Sequence, residues 1–260
     1  MAGWTQKSLM AHVAGMDAEA GLAWLLQVAP ETGGKAEKPI AAQLRKVDAL
    51  QRERARLASM RAMEADLWQE GFQFVGGIDE AGRGPLAGPV VAACVILPET
   101  VWLERLDDSK KLSAATRDRL FDEIRQKSVA WGVGICDAGY IDRVNILNAT
   151  KKAMLLAVEA MKQAPDALII DAVRLPVALR QIAVPKADER CLAVSAASVL
   201  AKVTRDRIMD RQDAEYPAYG FLRNKGYGTA EHVEALRLHG PSPLHRRTFI
   251  GNLLEGGENP

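Results

Sequence analysis

Hydrophobic and polar positions follow two different rhythms along this chain, and the change falls near residue 72. Before it, residues 9–28 carry Ala, Leu, Met and Trp with few breakers and read as a helix. Residues 30–39, rich in proline and glycine, read as a linker. From Ile40 a second helix is expected, with Leu44, Val47, Leu50, Leu57, Met60 and Leu67 at roughly helical spacing. Beyond residue 72 short apolar runs take over. Residues 74–78 and 90–97 read as strands separated by two acids and a glycine-rich turn. Ser113 can cap a helix running to about Gln126. Residues 129–135 read as a third strand whose glycines suggest close packing or bends. Residues 140–164 read as one helix, with Ile146, Ala149, Ala153, Leu156, Ala160 and Met161 on its apolar face and Pro165 as its stop.

Residues 167–170 and 181–184 supply the fourth and fifth strands. A long helix follows through Leu192, Ala196, Val199, Leu200 and Val203, with Lys202 and Arg205 near its exposed side. The remainder, with Tyr227, His232, His239 and His245, mixes helix and loop. Strands that begin antiparallel and then alternate with helices predict an α/β protein, a mixed sheet flanked by helices. The expected organisation is a helical N-terminal extension over residues 1–71 and a main domain over residues 72–260.

Composition narrows the classes. With 260 residues, 48% hydrophobic and 26% charged, this reads as an ordinary globular protein able to bury a substantial core. The net charge is +1 from 34 basic and 33 acidic residues, so any surface for phosphate must come from local clustering. Cys94, Cys136 and Cys191 are far apart and show no Cys-x-x-Cys pairing, which suits reduced thiols in a cytoplasmic protein. The four histidines lack zinc-ligand spacing. The longest apolar run, residues 90–97, is far short of the ~18 residues needed to span a bilayer. No charged-then-apolar leader opens the chain. A soluble cytoplasmic protein is expected, without a membrane partner.

The chemistry-bearing stretch lies between the first two strands. Asp79 and Glu80 close an apolar run, and carboxylates there are costly unless they hold a metal or are otherwise paired. Adjacent strand residues face opposite ways, so joint service at one site requires an irregular backbone, which Gly82 and Gly84 permit. A β-turn with two solvated acids is the plain alternative. Gly82-x-Gly84-x-x-Ala87 also fits a dinucleotide-binding fingerprint, but Pro85 and Pro89 interrupt it and a strand follows where a helix is required. Asp171 repeats the pattern at the end of the fourth strand, and Asp188 stands just beyond the fifth. The helix beginning at Ile40 carries Arg45, Lys46, Arg52, Arg54, Arg56 and Arg61 against Asp48, Glu53 and Glu64. That face is either a solvated surface or an arm that grips a nucleic-acid backbone.

The stretch from Ile78 to Val91, Ile78-Asp79-Glu80-Ala81-Gly82-Arg83-Gly84-Pro85-Leu86-Ala87-Gly88-Pro89-Val90-Val91, resembles the signature of bacterial ribonuclease HII. Further matches follow in that family's order: Asp108-Ser109-Lys110-Lys111-Leu112-Ser113, Ile170-Asp171, Lys186-Ala187-Asp188, Ala196-Ala197-Ser198, Ala201 to Arg207, Asn224 to Thr229, and His245-Arg246. Ala187 departs from the family's usual glycine. The resemblance implies a ribonuclease H-like fold with a five-stranded mixed sheet. It implies that Asp79, Glu80, Asp171 and Asp188 are catalytic metal ligands, and such hard oxygen donors favour Mg²⁺ or Mn²⁺ over zinc. Two ions ~3.5–4 Å apart would serve hydrolysis of a phosphodiester 5′ to a ribonucleotide, leaving 3′-hydroxyl and 5′-phosphate ends. The substrates implied are RNA–DNA hybrids and duplex DNA containing ribonucleotides, cut by a monomer. Gly82, Arg83 and Gly84 resemble the loop that reads the ribose, and Tyr227 the tyrosine that packs on the sugar. Ser109, Lys110 and Lys202 are candidates for phosphate or active-site support, and His245 has no assigned role. A catalytically silent nucleic-acid-binding module is the rival reading.

Overall fold

Thr5 and Asp17 each open a helix by offering a side-chain oxygen to a free backbone N–H. α1 (Gln6–Val13) begins at Thr5, which exchanges hydrogen bonds with Ser8, and α2 (Ala18–Val28) begins at Asp17, which accepts from the Ala20 N–H. The single helix expected over residues 9–28 is therefore two, because Asp17 caps a new start just after Gly15. α3 (Glu37–Ser59) begins inside the expected linker, with Pro39 in the first turn, where its missing N–H breaks no helical bond. Leu9, Val13, Leu25 and Ala36 form the small core of these helices, with Trp4, Trp24 and Ile40 packed around them.

The structure, a computed structural model, describes residues 4–255. The ends of both expected domains, residues 1–3 and 256–260, lie outside the described residues. The chain divides into two compact units, Met1–Ser59 and Met60–Pro260. The second contains α4 (Ala62–Gln69), β1 (Val75–Ala81), β2 (Val90–Ile96), α5 (Ala114–Lys127), β3 (Ala130–Cys136), α6 (Ala138–Val144) and α7 (Ile146–Glu159). It continues with β4 (Ala167–Asp171), β5 (Arg180–Val184), α8 (Leu192–Glu215), α9 (Phe221–Asn224), α10 (Ala230–His239) and α11 (Arg247–Glu255). The division thus falls before the expected 71/72 boundary. The helix expected to run from Ile40 to Leu67 stops at Ser59, and α4 packs on β1 and β4.

The five strands pair in the order β3-β2-β1-β4-β5. β1 is antiparallel to β2 and β2 to β3, whereas β1, β4 and β5 run parallel. The runs of β1, β2 and β4 are buried on both faces, whereas β3 and β5 are partly exposed; α8 covers β1 and β2, and α7 covers β2 and β3. Ile78, Ala92, Cys94, Leu168 and Ile170 meet Ala149, Ala153, Met154 and Ala157 of α7 in one cluster. The strand glycines provide the close packing expected of them, since a Cβ at Gly134 would overlap the Ala153 carbonyl oxygen of α7. Ser113 caps α5 as anticipated, accepting from the Thr116 N–H. The helix expected over residues 140–164 is broken at Asn145, which takes a φ of 69° and caps α7 with its own side chain. Asparagine tolerates both tasks.

Candidate active site

β1 does not bend at its two acids. It stays paired with β2 through Asp79↔Ala93, Glu80↔Ala92 and Ala81↔Val91, so the expected irregularity is not present. The β1–β4 pairing stops at Ile78↔Ile170, so Asp79 and Glu80 lie just beyond it, at the carboxyl ends of the parallel strands. Asp171 ends β4 and accepts from the Ala187 N–H at 3.1 Å, which draws the 3₁₀ turn Ala187–Glu189, and with it Asp188, to the same strand end. Ala172 and Lys186, both non-glycine residues with φ near +55°, flank this tie at 53° and 58°. Such backbone strain concentrates at functional sites.

Electrostatics confirm that these acids share a neighbourhood. Burial, then Glu80, pushes the Asp79 carboxyl well above the usual range. Burial raises Glu80 although Arg83 opposes it, and burial together with Asp108 raises Asp188. Lys110 places Nζ 3.8 Å from an Asp188 oxygen and 4.0 Å from one of Asp108. Desolvation would lower its pKa, but Asp108, Asp188, Asp79 and Asp171 outweigh that and hold it above the ordinary value. Arg83 reaches one Glu80 oxygen at 3.2 Å. The other, Oε2, is buried and has no hydrogen-bond partner. Among the described residues no three His, Cys, Asp or Glu side chains close on one metal-sized point. Instead Lys110 and Arg83 lie among the carboxylates.

Ser109 is buried, and its hydroxyl meets that of Ser198 at 2.8 Å. Ser198 in turn lies beside the Asp79 carboxylate and opposes the rise in its pKa. Ser109 therefore reaches the acidic cluster through Ser198. Asp108, buried beside Lys110, was not singled out from sequence, although the acid-then-lysine pattern of Asp108-Ser109-Lys110 carries the signal.

On the other flank, Gly82 has φ +95°, and a Cβ there would overlap the Arg205 side chain. Gly84 has open space where a Cβ would stand. Tyr227 is 44% exposed, so it is not a core residue, and the Arg205 guanidinium carbon lies 5.7 Å from its ring centre. Arg205 itself is fully buried, not near the exposed side of α8 as expected. The reason is that backbone carbonyls of the 82–89 loop, rather than water, surround its guanidinium. Lys202 is half-buried and pairs with Asp206 at 2.7 Å.

His232 and His245, both buried, meet through their Nε2 atoms at 3.0 Å. His232 Nδ1 donates to the Tyr227 carbonyl at 2.8 Å, while His245 Nδ1 accepts from the Ser242 N–H at 3.0 Å. One proton between the two Nε2 atoms satisfies both rings only while both are neutral. Burial, then His232, lowers His245 to about 4. This pair holds the Tyr227 turn, a role that no spacing in the sequence announces.

The family model for Ribonuclease HII matches residues 76–251, which spans both flanks of this site. The chain belongs to the ribonuclease HII family. The ribonuclease HII of Acetivibrio thermocellus is 46% identical over 255 residues, covering 98% of this chain and 100% of that protein. That match includes most of the N-terminal unit, so the extension is shared with a relative. The ribonuclease HII of Halalkalibacterium halodurans is 52% identical over 190 residues, 73% of this chain and 72% of its own. Among solved structures, the ribonuclease H2 from Pyrococcus horikoshii OT3 is 29% identical with a TM-score of 0.59, covering 70% of this chain and 98% of that one. The five-stranded mixed sheet with flanking helices is thus the ribonuclease H-like fold. Within the described residues no helix is long and apolar enough to cross a membrane.

Proposed function

We propose that this ribonuclease HII family nuclease hydrolyses the RNA strand of RNA–DNA hybrids and cuts 5′ of single ribonucleotides embedded in duplex DNA. The observation that carries the reading is the convergence of Asp79, Glu80, Asp171 and Asp188 at one sheet end, beside the glycine loop. The donors fit divalent cations: all are hard oxygens, and the Glu80 Oε2 atom is a buried acceptor with no partner. Asp79, Glu80, Asp171 and Asp188 would hold two Mg²⁺ or Mn²⁺ ions. When bound, these supply activation of the attacking water on one side of the phosphorus and charge stabilisation of the leaving oxygen on the other. The water oxygen bonds to phosphorus as the bond to the upstream 3′-oxygen breaks. A 3′-hydroxyl is left on one fragment and a 5′-phosphate on the ribonucleotide.

The chain's own contribution is orientation. The Ala187 N–H fixes Asp171, and Ser198, held by Ser109, lies beside the Asp79 carboxylate. Gly82, Arg83 and Gly84 read the 2′-hydroxyl, the group that separates RNA from DNA. The exposed Tyr227 ring packs on the same sugar and holds it in line. Lys110 offers a cation to the substrate phosphate. Three buried free thiols suit a reducing cytoplasm, where the protein would work as a monomer in the removal of ribonucleotides from DNA.

Initial rates on matched duplexes test this: all DNA, one ribonucleotide, and a continuous RNA strand paired with DNA, each with Mg²⁺, Mn²⁺ or a chelator. Metal-dependent cleavage of the second and third is expected, with end-labelled products bearing 3′-hydroxyl and 5′-phosphate. An enzyme that cuts the continuous hybrid but ignores the single ribonucleotide contradicts the role given to the loop. Binding with no cleavage under any metal supports the silent nucleic-acid-binding module instead.

A further inference from the structure

Arg205 and Arg246 are each 0% exposed, and neither forms an ion pair with a described carboxylate. Their donors go to backbone carbonyls. Arg205 donates from Nε to Pro89 at 3.0 Å, from Nη1 to Lys225 at 2.9 Å and from Nη2 to Ala87 at 3.1 Å. Arg246 donates from Nε to Gly88 at 3.0 Å, from Nη1 to Arg83 at 2.9 Å, and from Nη2 to Gly82 at 2.6 Å and Gly88 at 2.9 Å. Burying two cations beside one another is costly. Burial and the neighbouring Arg205 bring the Arg246 pKa down to about 9. A loop that needed only to be tethered could use neutral donors, so the charge calls for a reason.

The peptide plane supplies one. No peptide bond here is cis, and in a trans peptide the N–H points opposite to the C=O. With the Gly82 and Arg83 carbonyls turned onto Arg246, the N–H groups of Arg83 and Gly84 point away from it. Neither donates to another described residue, and the space beside Gly84 is open. The same fork arrangement reaches the opposite wall, because Arg205 holds the Lys225 carbonyl two residues before Tyr227. The Gly226 carbonyl accepts from the Leu86 N–H at 2.9 Å, which ties this wall to the loop again. Two outward N–H donors backed by two buried positive charges favour an electron-rich oxygen, and the acidic cluster beside them leaves a neutral sugar oxygen as the better fit than a phosphate.

We propose that Arg246 and Arg205 are positioning residues for ribonucleotide recognition, fixing the 82–89 loop so that the Arg83 and Gly84 N–H groups face a hydroxyl oxygen of the substrate sugar. This rests on the reading that the loop contacts the 2′-hydroxyl. Arg246 sets the two donors directly; Arg205 sets the distance between loop and Tyr227.

The test is equilibrium binding in a chelator to two matched duplexes, one all DNA and one with a single ribonucleotide. The wild-type protein should prefer the second. Arg246→Lys keeps the charge but loses the fork that spans the Gly82, Arg83 and Gly88 carbonyls. It should reduce that preference about tenfold, roughly one hydrogen bond's worth, while the all-DNA affinity stays within about twofold. Arg205→Lys leaves the Gly82 and Arg83 carbonyls on Arg246 and should reduce the preference less, about threefold. A structural role alone lowers both affinities together. Circular dichroism melts report folding of each variant. If Arg246→Lys does not fold, amide hydrogen exchange on the wild-type protein decides. The Arg83 and Gly84 amides should exchange quickly when free and gain protection from the ribonucleotide duplex only. Protection in the free protein, or equal protection by both duplexes, overturns the proposal. A preference unchanged in folded Arg246→Lys overturns this assignment alone, whereas a wild-type protein that never distinguished the duplexes removes the loop's reading and the assignment with it.

Discussion

The two flanks of the site are built on opposite principles. In the 82–89 loop, carbonyl after carbonyl is held from within by Arg205, Arg246 or a backbone N–H. In the acidic flank, Asp79, Glu80 and Asp188 are raised by burial and by neighbouring carboxylates, and Glu80 Oε2 accepts from nothing. Their counter-charges are Lys110 and Arg83, long side chains that remain largely solvated. On the proposed reading the recognition loop is set before substrate arrives, because backbone donors must not reorganise to be selective. The acids cannot be rigid in the same way. Carboxylates packed together repel, and their neutralisation has to be exchangeable if the site is to accept both cations and a phosphate.

The largest expected effect comes from breaking the acidic flank. Asp79→Asn or Asp171→Asn should reduce cleavage by about three orders of magnitude or more, comparable to losing a principal charge-stabilising group. The fold and much of the duplex affinity should survive, because the loop flank is untouched. Steady-state cleavage and binding measured side by side check this, and near-normal turnover at saturating Mg²⁺ in either variant would sink the assignment. Asp188→Asn should be severe in the same assay.

That asymmetry also decides what could be read from sequence. The acids were legible because Asp79 and Asp171 each close an apolar run, a pattern that needs no knowledge of neighbours. So were the five strands, each bounded by turn residues, and the Ser113 cap. The breaks at Asp17, Ser59 and Asn145 were not, because a capped restart leaves the apolar periodicity almost intact. Arg205 and Arg246 were illegible for a deeper reason. Their partners are carbonyl oxygens, which every residue carries, so no side-chain pattern marks a buried guanidinium as satisfied. Likewise the regularity of β1 through Glu80 follows from its continued pairing with β2, a property of the pair and not of the strand.

Glu64 sharpens the comparison from outside the site, as a buried carboxylate without a cluster. Burial raises it to about 7 from an ordinary 4.5, against opposition from Arg61, the Cys191 thiol and the Leu192 and Ala193 amides. Between those values the folded protein keeps a proton that the unfolded chain has released. Stability should therefore fall as pH rises from 4.5 to about 7, then level off. Glu64→Gln cannot ionise and should escape the loss. Its advantage over wild type should grow from nil at low pH to on the order of 3 kcal/mol above pH 7. Denaturant melts at a series of pH values measure the difference, and an advantage independent of pH rules out a buried titrating acid. Catalysis should be unaffected at pH values where both proteins are folded.

Tyr227→Ala probes the rigid flank with little risk to the fold, since the ring is exposed and its backbone is held by His232 and Asn224. Cleavage at a single ribonucleotide should slow by about tenfold to a hundredfold, as expected for a misplaced reacting group. The loss should be smaller on a continuous hybrid, where neighbouring sugars help to set the register. Equal losses on the two substrates would place Tyr227 outside sugar positioning.

The smallest effect is expected where neither flank is touched. On α3, Arg54 pairs with Glu19 at 2.7 Å and Arg56 with Glu53 at 2.8 Å, which leaves, beyond Lys38 in the first turn, Arg45, Lys46 and Arg52 as exposed cations without an ion pair among the described residues. If this face grips a nucleic-acid backbone, replacing all three with Gln should raise KM a fewfold at low salt and leave kcat nearly unchanged, because the binding lost is uniform between ground and transition states. It should also flatten the dependence of log affinity on log salt, by about 0.9 for each phosphate contact removed. The salt slope is the sharper readout, since a slight loss of folded protein would lower apparent activity without changing that slope. An identical slope with an identical KM returns this helix face to ordinary solvated surface and leaves substrate binding to the two flanks alone.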